Sequence, residues 1–265
     1  MLQIAFAVEL SVLSYNIHAL SPILAGDKPK QRIVSILERS KGFDLIFFQE
    51  NWIFSVEDLA NGLESHTILK SKKSKFKPPI RGLLNKNGSG LSLAIEGTIP
   101  TSNSSEVSFD NCSGCIGKGS DCMATKGFYH VSIELSGGVI DLYNTHLDAG
   151  GAKSDFQARE KQLKKITDYI ELNSLGNLVI LAGDMNINLL DESEAHMIDY
   201  LTERLGFKMV QWHDDSLNYS LALDYILYRA SDVLDISLIS GGVDESLLGL
   251  SDHPPIKALF DIRKK

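Results

Sequence analysis

Polar side chains that could bind a cation or a phosphate recur where apolar segments of this chain end. Asn16 closes LSVLSYN, Glu50 closes FDLIFFQE, and Asp224 opens LDYILY. Comparable positions at the ends of further apolar segments hold Asn144, His146, Asp184, Asn186, Asp252 and His253. Carboxylate and amide oxygens suit hard divalent cations, and imidazole exchanges protons near neutral pH. Together these residue types could hydrolyse a phosphate ester with the help of a metal ion.

Each of these residues also has a structural interpretation. A single Asn or Asp at a strand end commonly forms a turn, and His146 alone could be a hydrogen-bonded core histidine. Recurrence at successive strand ends favours function, because strand ends place side chains on a rigid rim where a preorganised site can form.

The segments that carry these residues show strand and helix patterns. Apolar runs rich in Val, Ile, Leu and Phe predict strands at LSVLSYNI, FDLIFFQE, LSLAI, FYHVSIEL, VIDLYNTHL, NLVILAGDMN, LDYILY, LDISLIS and IKALFDI. Amphipathic patterns predict helices over 30–40, 56–64, 154–173 and 192–205. We expect a capping box of Ser154 and Gln157 to begin the third helix and Gly206 to end the fourth. The basic segment 71–90 and the Gly/Ser-rich segment 101–127 are predicted loops.

Composition is compatible with one globular domain over 1–265. The chain has 265 residues, is 43% hydrophobic and contains no linker-like tract. Strands that alternate with helices in some places and follow one another in others predict α/β layers with mixed sheets. The net charge of −8 argues against a protein that wraps nucleic acid over its whole surface. The apolar N-terminus is interrupted by Glu9 and is predicted to be a first strand rather than a signal peptide.

Three cysteines, Cys112, Cys115 and Cys122, lie in the predicted loop 101–127. An odd number of cysteines is not a disulfide framework, and both a local disulfide with a spare thiol and three reduced thiols fit. A structural zinc site would need a fourth ligand, which neither another cysteine nor a close histidine supplies. Cysteine usage therefore indicates no compartment.

The strings SYNIH, FFQE, YNTHLDAG, GDMNIN, LDYIL and SDHPPIK, in this order, resemble the endonuclease/exonuclease/phosphatase superfamily over about residues 12–262. This resemblance implies a four-layer α/β sandwich, with two mixed β-sheets flanked by helices, and a metal-dependent phosphoric diester hydrolase. NTHLDAG with the following helix that carries Arg159, and an element containing Asp121, Lys126 and Gly127, are similar to the neutral sphingomyelinase branch. Asp148 stands where that branch usually has Gln. The branch implies a phospholipase C-type reaction that releases a phosphorylated headgroup from a lipid.

The superfamily pattern also implies metal ligands. Glu50 is expected to bind Mg²⁺ directly, with Mn²⁺ or Co²⁺ as alternative ions. Asn16 would supply or orient a second ligand, and Asp252 would contribute to a second metal position. Oxygen ligands of this kind suit Mg²⁺, which keeps several waters.

The remaining residues of the pattern would act on water and phosphate. His253 is the expected general base, because its unperturbed pKa lies near neutral pH, and Asp224 would hold its tautomer. Asp184 would orient the attacking water. Asn186 and His146 are predicted to donate to phosphoryl oxygens. Asn144 is predicted to contact the substrate and to support His146. Lys126 could contact the substrate or pair with Asp121. The other histidines, His18, His66, His130, His196 and His213, share no ligand spacing and are predicted to be structural or surface residues.

Three alternative functions remain at this stage. A DNA or RNA nuclease would use the same chemistry, but the acidic balance and the lack of interleaved basic and aromatic residues argue against it. The basic segment 72–86 favours an inositol-phosphate phosphatase, or a peripheral contact with an anionic membrane. A non-catalytic scaffold would be expected to lose the glutamate or the histidines, which are retained. No protein partner is indicated, and secretion or delivery to a membrane surface is favoured because a lipid hydrolase must reach a bilayer.

Overall fold

The computed structural model describes residues 7–21, 26, 28–72, 88–114, 122, 124–212 and 222–265. Their strands are β1 (Val8–Ala19), β2 (Leu45–Asn51), β3 (His66–Lys70), β4 (Ser92–Glu96), β5 (Thr101–Ser108), β6 (Gly127–Leu135), β7 (Gly138–His146), β8 (Leu178–Asp184), β9 (Lys208–Met209), β10 (Asp224–Arg229), β11 (Leu234–Val243) and β12 (Ile256–Lys264). The helices are α1 (Pro29–Ser40), α2 (Val56–Gly62), α3 (Lys153–Asn173) and α4 (Glu192–Leu205), with a 3₁₀ turn at Glu245–Leu247.

The strands form two six-stranded sheets. Sheet 1 has the order β11-β12-β1-β2-β4-β3, and sheet 2 has the order β5-β6-β7-β8-β10-β9. Both are mixed, because β1 pairs with β2 and β7 with β8 in parallel, whereas the other pairs are antiparallel. The parallel pairs lie near the centre of each sheet, and the ends of these four strands meet at one rim of the molecule.

Three apolar layers hold the fold together. Leu10 and Val12 of β1 face sheet 2 and pack in a core between the sheets, whereas Leu13 and Tyr15 face α1 and α2. A third cluster joins sheet 2 to α3 and α4. Alternation of side chains along each strand produces this arrangement, because neighbouring residues point to opposite faces. The predicted four-layer α/β sandwich is confirmed.

All nine predicted strands and four predicted helices are formed. The prediction was wrong for 101–127, whose first part is the edge strand β5, and β3 and β9 were not predicted. Gly206 ends α4 with a left-handed φ of 67°, as expected. The predicted Ser154 capping box was wrong: Asp155 Oδ2 accepts from Ala152 N at 2.8 Å, and Ser154 Oγ hydrogen-bonds Ser113 Oγ instead.

Cys112 and Cys122 form a disulfide with an S–S distance of 2.04 Å. This finding favours the local disulfide over three reduced thiols. Cys115, Asp121 and His213 lie outside the described residues, as does most of the basic segment 71–90. Among the described residues, no helix combines the length and apolar character that a bilayer-spanning helix requires.

Candidate active site

The alternation that builds the core between the sheets also aims polar residues at one rim. On β1, Asn16 continues the row of Leu10 and Val12 that faces sheet 2. On β8, Asp184 continues the row of Leu178, Ile180 and Ala182 that faces sheet 1. Asn16 Nδ2 donates to Asp184 Oδ2 at 2.9 Å, so the two sheets are joined by a polar contact where their apolar layer ends.

Glu50 lies beside Asn16 because its backbone departs from regular strand geometry. Along β2, Glu50 would share the face of Phe48, which packs towards the helices. Its φ of 55° breaks this alternation, and its Oε1 accepts from Asn16 Nδ2 at 3.2 Å. Lys70 Nζ donates to Asn51 O at 2.5 Å and Phe54 O at 2.7 Å, which fixes the turn that follows. A left-handed φ at a residue other than glycine is costly and is commonly retained at functional sites.

Glu50, His146 and Asp184 form a cluster that could hold a metal ion. One ligand atom from each lies within 4.8 Å of the others. Glu50 Oε2 is buried and makes no well-formed hydrogen bond among the described residues, so it has free capacity for a cation. Burial alone would raise the pKa of Glu50, but the interaction with His18 and the charge of Lys126 lower it to about 2, so this carboxylate is ionised. The donor set fits a hard or borderline divalent ion.

Asn16 orients this cluster in the observed geometry. Its Nδ2 donates to Glu50 and Asp184, and its Oδ1 accepts from His18 N at 3.0 Å. The side-chain oxygen is thus engaged with the backbone. These contacts hold the Glu50 carboxylate in place, and both roles of Asn16 at a metal ion stay predictions.

Within this cluster, His146 contacts Lys126. Lys126 Nζ is 3.0 Å from His146 Nε2 and donates to Leu147 O at 2.6 Å. An ammonium group can only donate, so Nε2 must accept, and the imidazole carries its proton on Nδ1. Burial and the charge of Lys126 hold the pKa of His146 well below its usual range, which keeps the ring neutral. Its Nδ1 has no hydrogen-bond partner among the described residues.

His253 and Asp224 form a buried acid–imidazole pair. His253 Nδ1 is 2.8 Å from Asp224 Oδ2, which is completely buried at the start of β10. The other ring nitrogen, Nε2, is 3.7 Å from Asp184 Oδ2. Burial would lower the pKa of His253, but the carboxylates of Asp224 and Asp184 raise it to about 11. Asp224 thus fixes the ring so that Nε2 faces the centre of the site.

Asp184 belongs both to the cluster with Glu50 and His146 and to a second group with Asp224 and His253, and burial raises its pKa. Its Oδ1 accepts from Asn186 N at 2.9 Å, and Asn186 Nδ2 donates to Leu147 O at 3.0 Å. The backbone of Asn186 has a φ of 51°. This turn directs Asn186 to the edge of the site, where it is partly exposed.

Two predicted residues take less central positions. Asn144 is completely buried, its Nδ2 donates to Phe48 O and Ser92 O, and its Oδ1 accepts from Gln49 Nε2. These bonds join the two sheets, which favours a supporting role for Asn144, while its substrate contact stays a prediction. Asp252 lies at the mouth of the site with 58% of its side chain exposed.

His18 is a site residue that sequence reasoning missed. Its Nδ1 lies 3.4 Å from Glu50 Oε2 and 3.4 Å from Asp252 Oδ2, so the expectation of a structural or surface role was wrong. Among the described residues, four non-glycine residues have positive φ, and three of them, His18, Glu50 and Asn186, are in this site. The position of His18 two residues after Asn16 was the available signal, because alternate residues of a strand share a face.

Residues 13–218 match the model of the family described as Endonuclease/Exonuclease/phosphatase family 2. A sphingomyelinase of Mycobacterium bovis is 28% identical over 153 residues, which cover 51% of this chain and 30% of that protein. The chain thus spans about a third of the length of this curated relative.

Two solved structures share the fold over nearly the whole chain. A mutant of beta toxin from Staphylococcus aureus with bound magnesium ions has a TM-score of 0.69 at 19% identity, covering 95% of this chain and 99% of that one. Sphingomyelinase C from Streptomyces griseocarneus has a TM-score of 0.68 at 18% identity, covering 95% and 99%. Since the family model covers most of the sequence, this chain belongs to the endonuclease/exonuclease/phosphatase family 2.

Proposed function

We propose that this chain is a Mg²⁺-dependent phosphodiesterase that acts as a phospholipase C-type sphingomyelinase. The observation that carries this proposal is the position of Asp184, which is shared between the metal cluster with Glu50 and the pair formed by His253 and Asp224. A water held by Asp184 and His253 Nε2 would face a phosphate bound beside Glu50. Phosphodiester hydrolysis requires this combination of base, oriented water and charge stabilisation.

The proposed reaction assigns one task to each residue. His253 Nε2 takes a proton from the water oriented by Asp184, while Asp224 holds the opposite ring nitrogen. The water oxygen bonds to phosphorus as the ester bond to the lipid alcohol breaks, the departing oxygen takes a proton from solvent, and His253 returns its proton to solvent. The products are a ceramide-like alcohol and a phosphorylated headgroup. Asn186 would donate to a phosphoryl oxygen, and Lys126 supplies positive charge next to His146.

Glu50 is the proposed ligand for Mg²⁺, with Asn16 holding its carboxylate in place. A bound divalent ion supplies charge neutralisation for the phosphoryl oxygens. A cation there would also offset the carboxylates that raise the pKa of His253, so that the ring can accept a proton near neutral pH. The magnesium ions in the beta toxin mutant support the choice of metal. Asp252 is proposed to contribute to a second position at the mouth.

Sphingomyelin is the proposed substrate because the curated relatives that match are sphingomyelinases and a sphingomyelinase C shares the fold. The match to the mycobacterial protein is 28% identical and covers 51% of this chain. The substrate therefore needs a direct test. A surface-active hydrolase of this kind would work at a membrane surface after secretion or delivery to it.

The test is release of phosphocholine from sphingomyelin vesicles with Mg²⁺ and with EDTA. Plasmid DNA and an inositol polyphosphate are run in parallel as substrates of the alternative functions. His253→Gln should abolish release, whereas His196→Gln should retain it, because His196 is exposed on α4 and contacts Glu160 outside the site. Cleavage of DNA or the inositol polyphosphate alone would replace the sphingomyelinase proposal. If none of the three substrates is hydrolysed, the result would favour a non-catalytic scaffold.

A further inference from the structure

A polar cavity of about 410 Å³ lies at the edge of sheet 2, bounded by β5, β6, β7 and the end of α3. We call it the edge cavity, and the residues that line it include Asn103, Ser105, His130, Ser132, Asp141 and Asn177. Its volume is within the range of about 300–1,000 Å³ that small ligands occupy.

The edge cavity is separate from the candidate active site. Asp141 lies on β7 five residues before His146, which places their two Cα atoms roughly 17 Å apart. An odd separation along a strand also directs the two side chains to opposite faces of the sheet. The cavity therefore opens on the helix-facing side of sheet 2, whereas His146 points into the space between the sheets.

His130 is a nearly buried imidazole that lines the edge cavity. Its ring stacks on Tyr143 with the centroids 4.5 Å apart and meets the edge of Tyr169 at 5.8 Å. Its Nε2 lies 3.1 Å from Asp141 Oδ1, and an ionised carboxylate can only accept, so Nε2 carries a proton. Nδ1 of the neutral ring is then an acceptor, and it makes no hydrogen bond with the described residues. This nitrogen is fixed in direction and available to a ligand.

The charges around the edge cavity argue against a charged ligand. Asp141 is the one carboxylate among the described residues that line it, and none of those residues is Lys or Arg. Asp141 Oδ1 accepts from Ser132 Oγ at 2.6 Å, and Oδ2 accepts from Asn177 Nδ2 at 3.0 Å. A cation would have to displace these donors, and an anion would find no permanent positive charge. A neutral polar ligand therefore fits the cavity.

The edge strand β5 adds hydroxyl and amide groups on the same side. Ser105 lies opposite His130 and Asn103 lies opposite Ser132, so these four side chains share one face of sheet 2. Asn103 and Ser105 are exposed, and Tyr169 of α3 adds a partly exposed aromatic ring. Hydroxyl and amide groups both donate and accept hydrogen bonds, as the hydroxyl groups of a sugar do.

We propose that the edge cavity is a binding site for a neutral hexose, with His130 Nδ1 as an acceptor for one sugar hydroxyl. A hexose presents several hydroxyl groups to the serines and asparagines, and its C–H groups can pack against the ring of Tyr169. A free sugar and the headgroup of a monohexosyl lipid offer the same chemistry. This inference does not depend on the proposed hydrolysis, because the two sites lie on opposite faces of sheet 2.

Titration of the full chain with glucose, galactose and mannose, each separately, tests the proposal. With ¹⁵N-labelled histidines, at least one of these sugars should move the Nδ1 resonance of His130 in a saturable way. Ser105→Trp should abolish this shift, because the indole fills the space beside His130. Ser237→Trp is the matched control and should leave the shift unchanged, since Ser237 is an exposed serine on β11, the edge strand of the other sheet.

A smaller substitution keeps the proposal testable if Ser105→Trp does not fold. Asn103→Ala removes one exposed amide and should weaken the affinity for the sugar by about threefold or more. The proposal is overturned if none of the three sugars produces a saturable shift of His130, or if the shift persists in Ser105→Trp.

Sedimentation with vesicles distinguishes the two sources of the hexose. Binding to phosphatidylcholine vesicles that contain a glucosyl lipid, but not to phosphatidylcholine alone, would support the proposal with a glycolipid as the ligand. A shift of His130 by free sugar without such sedimentation would support it with a soluble sugar. Failure of sphingomyelin hydrolysis would overturn the function proposed above and leave these results unaffected.

Discussion

Asn16 Nδ2 donates to Asp184 Oδ2 at 2.9 Å and to Glu50 Oε1 at 3.2 Å, so one amide group joins the carboxylates of two sheets. Asn16 and Asp184 are 168 residues apart in the chain. Both are almost completely buried, and each continues an apolar row of its own strand. The distances between Glu50, His146 and Asp184 thus depend on how the two sheets pack.

Asn16→Ala should lower both stability and activity. The change removes one donor from each of the Glu50 and Asp184 carboxylates, and a lost hydrogen bond to a charged group costs about 1.5–3 kcal/mol. Urea unfolding measures the stability, and initial rates on sphingomyelin vesicles should fall by about 10²-fold, as expected for a displaced ligand. Asn173→Ala is the control, because Asn173 is exposed at the end of α3. If Asn16→Ala keeps the rate of the unmodified protein, the amide of Asn16 is not needed for hydrolysis.

Asp224→Asn should reduce kcat by about 10²–10⁴-fold without unfolding the protein, because a neutral amide no longer fixes the proton on His253 Nδ1. His253→Gln should cost at least as much. The double variant should resemble His253→Gln alone, since Asp224 acts through the imidazole. Steady-state kinetics on all three variants check this expectation, and multiplied losses in the double variant would mean that Asp224 acts independently of His253.

Glu50→Gln should remove the stabilisation that a divalent ion provides. Mg²⁺ at 100 times its Kd should stabilise the unmodified protein by about 2.7 kcal/mol, which raises Tm. The variant should show little change in Tm with added Mg²⁺ and no hydrolysis, and EDTA should reproduce this state in the unmodified protein. Thermal unfolding with and without Mg²⁺ measures the effect. An equal rise of Tm in Glu50→Gln would place the ion elsewhere.

Asp141 should make the free energy of unfolding depend on pH in the acid range. It accepts from Ser132 Oγ at 2.6 Å and Asn177 Nδ2 at 3.0 Å and lies 3.1 Å from His130 Nε2. Burial would raise its pKa, but these partners lower the pKa of Asp141 from 3.8 to about 2. A lowered carboxyl pKa contributes stability above the unfolded value, and this contribution is lost as the pH falls towards 2.

Asp141→Asn should therefore destabilise the fold at pH 7 by about 2 kcal/mol, and the difference should narrow below about pH 4. Urea unfolding at several pH values measures the difference. Asp235→Asn is the control, because Asp235 is exposed and pairs only loosely with Lys265, 3.3 Å away. A difference that stays constant from pH 7 to pH 3 would contradict the linkage.

The sequence alone predicted the elements that bury apolar residues. β5 was missed because TSNSSEVS is polar on both faces, as its position at the edge of sheet 2 allows. β9 has only two residues and carries too little pattern to recognise. Hydrophobic periodicity detects a strand only where one of its faces is buried.

The alternation of side chains between the two faces of a strand predicts the site only in part. It correctly places Asn16 and Asp184 on facing sides of the two sheets, but it would place Glu50 on the side of the helices. The resemblance to known motifs placed Glu50 in the site, and its left-handed backbone explains how it arrives there. The position of His18 two residues after Asn16 predicts that it shares the face of Asn16, but the bulge that follows Asn16 and the place of His18 between two carboxylates emerged only from the structure.

The order of the strands has a consequence for synthesis on the ribosome. His253 follows the other proposed catalytic residues in the chain, and the strand after it, β12, lies between β11 and β1 in sheet 1. β1 therefore cannot pair with β12, one of its two neighbours, until β12 has left the exit tunnel. A nascent chain that already carries Glu50 and Asp184 still lacks its base and the strand that positions it. The proposed hydrolysis would thereby be withheld from unfinished chains.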